Sequence, residues 1–167
     1  MTEAADSLRT AEPIKTIVVG YDGTRPAERA LARAAQLARV FGSNVVVADV
    51  ASLEPLEAMP GAFGLVPYYV PELENELRPN EELWRQHRTR VEELFAALGV
   101  PVEFAGVIGA PAAEIVQVAE GHAADLIVVG TREPGFLERL FGGSVSAGVA
   151  RQAHCDVLIV HPGEEAE

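Results

Sequence analysis

Four short runs of mostly β-branched apolar residues restrict the possible folds of this chain more than any other feature. Each run has the length of a strand and shows little alternation of apolar and polar residues. Such strands are typical of parallel sheets that helices cover on both faces. A fifth segment, Val102–Ile108, alternates more and predicts a strand nearer the sheet edge. The four strands that we expect to be covered on both faces are Thr16–Val19, Asn44–Val50, Leu126–Val129 and Val157–Val160.

Between these strands the apolar residues recur with the period of a helix. In the first helix, Thr24 is the expected N-cap and Pro26 lies in the first turn. In the fourth helix we expect Val145 and Val149 to pack on one face, and Gly148 to allow a close approach to the sheet. The predicted helices run from Thr24 to Gly42, from about Glu81 to Leu98, from Pro111 onward and from Ser144 onward.

Strands that alternate with helices predict an α/β fold, namely a doubly wound, five-stranded parallel sheet with helices on both faces. In such a fold, ligands bind outside the carboxyl ends of the strands. The 167 residues suffice for one domain and are too few for two ordinary ones. We assign the domain to residues 15–162, with 1–14 as a flexible N-terminal tail and 163–167 as an acidic tail.

The segment 52–80 interrupts the regular alternation. It contains five prolines, which argue against a continuous helix, while Tyr68 and Tyr69 add apolar surface. Because the segment leaves the carboxyl end of the second strand, it is either a lid over the ligand crevice or a variable surface excursion. We treat it as an irregular insertion in the domain.

The charge balance argues against nucleic acid and anionic membranes as partners. The formal net charge is −12, and the densest basic cluster, Arg85 to Arg90, is flanked by glutamates. The apolar runs are far shorter than the roughly 20 residues that a membrane-spanning helix needs. Residues 1–13 show no signal-peptide pattern, and Cys155 has no second cysteine to pair with. We therefore expect a cytoplasmic protein.

A predicted phosphate-binding loop is the strongest functional signal. The strand that ends at Val129 runs into Gly130, and Gly143, Ser144 and Ser146 open the last helix. Glycine permits a close backbone approach and serine donates hydrogen bonds. The free N–H groups at the start of a helix favour an anion. The sequence therefore predicts that a phosphate group binds where this strand ends and this helix begins.

The spacing of Gly130, Glu133 and Gly143-Ser144 resembles the nucleotide-binding loop of the universal stress protein family, with Glu133 in place of the family's second glycine. Further pieces resemble the family in order and spacing. They are the first strand with its ending Val-Gly-Tyr-Asp-Gly-Thr, the turn Val107–Pro111, and the final turn and strand Arg151–Val160. The resemblance covers nearly all of the folded chain.

The resemblance implies a Rossmann-like fold of the adenine nucleotide alpha hydrolase type. It also implies an adenine nucleotide, such as ATP, AMP or cyclic AMP, at the carboxyl edge of the central strands. Asp22 would accept a hydrogen bond from adenine or ribose, and the backbone around Val50 would meet the adenine edge. Gly130 would admit the backbone close to the ribose and phosphates. The phosphate oxygens would be bound by Gly143, Ser144, Val145 and Ser146.

Glu133 places a negative charge in this loop, and Pro134 cannot donate an N–H. At roughly 6 Å and an effective dielectric constant of about 20, a carboxylate that faces one phosphate charge costs about 3 kcal/mol. Arg132, which we include among the nucleotide-binding residues, would offset part of this repulsion. Glu133 could also turn to solvent or share Mg²⁺ or Mn²⁺ with the phosphates. AMP or cyclic AMP would suffer less repulsion than ATP.

The family further implies a stress-response regulatory protein that forms a homodimer through the strand Val157–Val160. No nucleophile, general base and orienting partner can be read together from the sequence, so we expect a binding protein and not a dedicated enzyme. Two alternatives stay open. One is a dimer that binds an unknown protein partner, through the Tyr68–Tyr69 loop, without a nucleotide. The other is a slow ATPase in which Asp22 and Glu133 hold a metal ion.

The remaining reactive side chains give weaker signals. The four histidines lack the spacing of metal ligands, so we expect no protein metal site. We interpret His87 as a solvated helix residue, His122 as a helix-end residue, His154 as part of a turn and His161 as a strand end. We interpret Cys155 as a structural turn residue, with a redox-sensing thiol as the alternative.

Overall fold

The structure, a computed structural model, describes residues 13–52, 81–131 and 144–162. Within these ranges the chain forms five strands and four helices that alternate along the sequence, as predicted. The strands are β1 (Thr16–Tyr21), β2 (Asn44–Ser52), β3 (Val102–Gly109), β4 (Leu126–Gly130) and β5 (Asp156–Val160). The helices are α1 (Arg25–Phe41), α2 (Glu81–Leu98), α3 (Pro111–Gly121) and α4 (Val145–Gln152).

The strands form one parallel sheet in the order β3-β2-β1-β4-β5. This order confirms the predicted doubly wound fold, and β3 is an edge strand as its alternating sequence indicates. The second edge is β5, whose residues Val157–Val160 are only partly buried. Its side chains nevertheless pack on both faces of the sheet, Leu158 and Val160 against one core layer and Val157 and Ile159 against the other. The predicted cover on both faces is therefore confirmed, although it is less complete than on the inner strands.

The core consists of two layers, one on each face of the sheet. On one face, α1 and α2 pack against Ile17, Val19 and Val47. On the other face, α3 and α4 pack against side chains that include Val18 and Val46. Because neighbouring residues of a strand point to opposite faces, both layers need apolar side chains. This requirement explains the continuous apolar runs of the inner strands.

Both ends of α1 follow the predicted capping chemistry. The Thr24 hydroxyl accepts a hydrogen bond from the Ala27 N–H at 3.5 Å, and a proline stands in the first turn. At the other end, Gly42 adopts a left-handed conformation with φ of 71°. The first helix therefore begins and ends where the sequence indicates, and its start is fixed next to the carboxyl end of β1.

The packing of α4 differs from the prediction at two residues. Val149 is buried, but Val145 is 38% exposed and does not belong to the core. A Cβ on Gly148 would lie 2.6 Å from the Cβ of Ala112, so this glycine allows a close approach to α3 and not to the sheet. The predicted apolar face is wrong for Val145 because the first turn of α4 borders the open carboxyl edge of the sheet.

Several predictions concern residues outside the described ranges, namely the two tails, the insertion after β2 and the loop residues 132–143. None of the four described helices combines the length and the hydropathy that a membrane span requires.

Candidate functional site

A crevice of about 430 Å³ opens at the carboxyl edge of the sheet. It lies where the strand order reverses, because β1 connects to β2 on one side and borders β4 on the other. Its walls come from the ends of β1, β2 and β4 and from the first turns of α1, α3 and α4. The volume lies within the range of pockets that hold small organic ligands.

The structure brings six of the eight predicted nucleotide-binding residues to this crevice. Arg132 and Gly143 belong to the loop that lies outside the described residues. Thr131, the last described residue before that loop, lines the crevice as well. The six predicted residues that line the crevice are Asp22, Val50, Gly130, Ser144, Val145 and Ser146.

Asp22 organises the turn between β1 and α1. Its Oδ1 accepts hydrogen bonds from the Thr24 backbone N–H at 3.0 Å and from the Thr24 hydroxyl at 2.6 Å. Thr24 in turn caps α1. This Asx-type geometry is the structural role that aspartate often has after a strand. Asp22 therefore fixes the turn and also borders the crevice.

Gly130 is required by the packing of β4 against α1. A Cβ at this position would lie 2.5 Å from the carbonyl carbon of Pro26 and 3.0 Å from the Pro26 Cβ, and it would also collide with the Pro26 oxygen. The sequence indicates a glycine that lets a ligand approach. The structure adds a second reason, because any larger residue would push the first turn of α1 away from the sheet.

Ser144 is the N-cap of α4. Its hydroxyl accepts a hydrogen bond from the Ala147 N–H at 3.3 Å and lies 3.4 Å from the Ser146 hydroxyl. The first N–H groups of a helix lack partners within the helix, and they carry the positive end of the helix dipole. The Arg29 guanidinium of α1 donates to the Thr131 carbonyl at 3.4 Å. Two hydroxyl groups and the start of a helix thus lie at the end of the crevice formed by β4 and α4.

His87 is not the solvated helix residue that we predicted. Its side chain is only 13% exposed, and Nδ1 donates a hydrogen bond of 2.6 Å to Oδ2 of the buried Asp49. The sequence holds two signals of this pair. Asp49 is a charged residue inside an apolar strand, and His87 is spaced four and eight residues before the buried Val91 and Phe95 of α2.

The other histidines agree with their predicted places. His122 caps the end of α3, where its Nδ1 contacts the Val118 carbonyl at 2.8 Å, and His161 follows β5. His154 lies in a bend, 3.4 Å from Glu120. In the described ranges, no three His, Cys, Asp or Glu side chains are grouped so that they could hold a metal ion.

We expect Cys155 to react more slowly with iodoacetamide at neutral pH than free cysteine does. Burial raises the pKa of the Cys155 thiol, and the nearby carboxylates Asp156 and Asp125 raise it further. Because the thiolate is the reactive form, a raised pKa lowers the reactive fraction. Mass spectrometry of the alkylated peptide over time measures this rate. Alkylation as fast as that of free cysteine would favour the redox-sensing alternative.

Two sequence comparisons agree on the relatives of this chain. A profile described as "Universal stress protein family" matches residues 13–161. A universal stress protein from Thermus aquaticus is 40% identical over 147 residues, which are 87% of this chain and 98% of that protein. Universal stress protein MJ0531 from Methanocaldococcus jannaschii is 34% identical over 156 residues, which are 92% and 86% of the two chains.

Solved structures have the same fold. The structure of MJ0577, a protein of Methanocaldococcus jannaschii, is 23% identical with a TM-score of 0.70 and covers 92% of this chain and 100% of its own. A universal stress protein crystallised in complex with cAMP is 29% identical with a TM-score of 0.64. That comparison covers 91% of this chain and 100% of the other.

A five-stranded parallel sheet with a crevice where the strand order reverses defines a doubly wound α/β protein of the Rossmann-like class. Within that class, the chain belongs to the universal stress protein family. The family resemblance drawn from the loop spacing and the strand endings is therefore confirmed.

Proposed function

We propose that this protein binds an adenine nucleotide in the crevice and acts in the cytoplasm as a regulatory protein of the stress response. The observation that carries the proposal is the convergence of Asp22, Val50, Gly130 and Ser144 on one crevice of about 430 Å³. These residues come from four separate parts of the chain. The relative that was crystallised with cAMP supports the same class of ligand.

The two ends of the crevice suit the two ends of a nucleotide. Asp22 and Val50 lie at the ends of β1 and β2, where a carboxylate and strand backbone suit the polar edges of adenine and ribose. The opposite end has the Gly130 backbone, the Ser144 and Ser146 hydroxyls and the start of α4, which suit phosphate oxygens. We therefore propose that the phosphates lie at the β4 and α4 end.

The number of phosphates depends on the loop that follows Thr131. Glu133 comes two residues later, in the loop outside the described residues. A carboxylate that faces the phosphates disfavours the crowded charge of ATP unless Mg²⁺ or Mn²⁺ bridges the two. We propose that AMP and cyclic AMP bind without a metal ion, whereas ATP requires the cation.

We expect replacement of Ser144 by alanine to weaken binding of cyclic AMP about tenfold or somewhat more. The change removes one hydroxyl donor, and a hydrogen bond to a charged group contributes about 1.5 kcal/mol or somewhat more. Calorimetric titration of the wild-type protein and Ser144→Ala with AMP, cyclic AMP, ATP and GTP measures this effect. Thr89→Ala is the control, because it removes a hydroxyl from the exposed face of α2. A wild-type protein that binds none of the adenine nucleotides would refute the proposal.

The slow ATPase is the weaker alternative. It needs Asp22 as a metal ligand, but Oδ1 of Asp22 already accepts two hydrogen bonds from Thr24. We propose that hydrolysis is at most incidental. Rapid release of phosphate from ATP with magnesium, lost in Glu133→Ala, would instead support the enzyme.

We further propose that two copies of the chain pair through β5 to form a homodimer. The strand is at the edge of the sheet, and its apolar side chains Val157–Val160 are only partly buried. An unprotected apolar edge strand is a site of aggregation unless another chain covers it. Analytical ultracentrifugation at micromolar concentration should give twice the chain mass of 17.8 kDa. A species of the chain mass would rule out the dimer and the partner-binding alternative that depends on it.

A further inference from the structure

A polar cluster is buried on the α1 and α2 face of the sheet, directly behind the adenosine end of the crevice. Tyr21 of β1 and Asp49 of β2 are neighbours in register, and each is 4% exposed. Asp49 accepts the hydrogen bond from His87, which lies on α2. The Tyr21 hydroxyl donates to Glu28 of α1 at 2.6 Å. The cluster thus ties both helices to the ends of the two strands.

Burial of the Asp49 carboxylate costs free energy, and His87 is the main partner that compensates this cost. Burial raises the pKa of the Asp49 carboxyl, while the hydrogen bond and the charge interaction with His87 act in the opposite direction. A buried carboxylate of this kind needs a donor that is held in place. Asp49 therefore fixes the orientation of the imidazole ring through Nδ1.

The other side of that ring faces the turn between β1 and α1. Gly23 has φ of +74°, and a Cβ built on it would lie 2.5 Å from Nε2 and 3.1 Å from Cε1 of His87. The ring also stands edge-on to Tyr21, with the centroids 5.1 Å apart and the planes at 77°. The imidazole therefore occupies the space that a side chain at position 23 would fill, and the turn rests against it.

His87 and Asp49 do not line the crevice, whereas Asp22 and Thr24 on either side of Gly23 do. The histidine consequently acts on a ligand through the residues it contacts, namely the turn and Tyr21, which also lines the crevice. The turn's own hydrogen bonds hold Asp22 to Thr24, but they do not fix the turn against the rest of the fold. The contact with His87 supplies that constraint from α2.

We propose that His87, oriented by Asp49, is a positioning residue that sets the β1–α1 turn for recognition of the adenosine part of the nucleotide. The inference rests on the proposed nucleotide binding. It assigns a role in affinity to a side chain that does not touch the ligand.

Two substitutions separate positioning from simple stabilisation. His87→Ala removes both the hydrogen bond to Asp49 and the ring against Gly23, so we expect lower thermal stability and about tenfold weaker binding of cyclic AMP. His87→Asn retains an N–H donor near the position of Nδ1 but has no ring. We expect the thermal stability of His87→Asn to be close to that of the wild type, while its affinity for cyclic AMP stays low. His122→Ala is the matched control, because it removes a histidine that also contacts a carboxylate, Glu103, away from the crevice.

The affinities are measured by calorimetry with cyclic AMP, and the turn is measured separately by hydrogen exchange of the peptide that contains residues 21–28 without nucleotide. We expect faster exchange in both His87 variants and unchanged exchange in His122→Ala. If His87→Asn restores both stability and affinity, the role is structural and the inference is wrong. If the wild-type protein binds no nucleotide, the proposed function fails. Unchanged hydrogen exchange of the peptide 21–28 in both His87 variants would overturn the positioning role, whether or not the wild-type protein binds a nucleotide.

Discussion

Replacement of Gly130 by alanine is expected to destabilise the protein by about 2 to 3 kcal/mol and to abolish measurable nucleotide binding. The new Cβ would meet the backbone of Pro26, 2.5 Å from its carbonyl carbon, and a backbone neighbour cannot move aside by a change of rotamer. The end of β4 and the first turn of α1 must therefore separate. Both segments line the crevice, so its shape changes together with the stability.

Thermal unfolding of Gly130→Ala measures this effect, and a decrease of the melting temperature by roughly 5 to 10 °C corresponds to the expected loss. Gly121→Ala is the matched control, since a Cβ at that position near the end of α3 meets nothing within 4 Å. We expect the control to unfold at or slightly above the wild-type temperature. A Gly130→Ala variant as stable as the control would show that β4 and α1 are not in close contact.

Replacement of Glu133 by glycine is expected to tighten binding of ATP by up to about two powers of ten. A carboxylate that faces one phosphate charge at roughly 6 Å costs about 3 kcal/mol at an effective dielectric constant of about 20. Removal of this repulsion corresponds to a hundredfold change in the dissociation constant, because each factor of ten is about 1.4 kcal/mol. The change also restores the glycine that the family has at this position of the loop.

Titration calorimetry without a divalent cation measures the effect most cleanly. AMP serves as the internal control, since it has fewer phosphate charges and we expect its affinity to change much less. Arg132→Ala provides the opposite test, because loss of a positive charge in the same loop should weaken ATP binding. Equal gains for ATP and AMP in Glu133→Gly would mean that the carboxylate does not act through phosphate charge.

The architecture could be predicted from the sequence because its determinants are local. Continuous apolar runs such as Leu126–Val129 require cover on both faces, and capping residues such as Thr24 and Gly42 define the ends of α1. The edge position of β3 followed from its alternation. The crevice followed from the fold class, which places ligands at the carboxyl ends of the strands.

The parts that the predictions missed depend on contacts between distant segments. His87 looked like one more polar residue of α2, but its partner Asp49 lies on another strand. The collision of a larger residue at Gly130 with Pro26 likewise involves residues far apart along the chain. Val145 fits an apolar helix face by periodicity, yet the first turn of α4 borders the crevice, so its side chain is exposed.

The most direct test of the central claim is to map the nucleotide onto the protein by nuclear magnetic resonance. Titration of ¹⁵N-labelled protein with cyclic AMP should shift the backbone amide signals of Asp22, Gly130 and Ser144 to Ser146. The signals of the exposed face of α2, around Arg85 and Thr89, should stay unchanged. If millimolar cyclic AMP and ATP leave the crevice signals unshifted, or shift only signals elsewhere on the protein, the crevice is not a nucleotide site and the account is wrong.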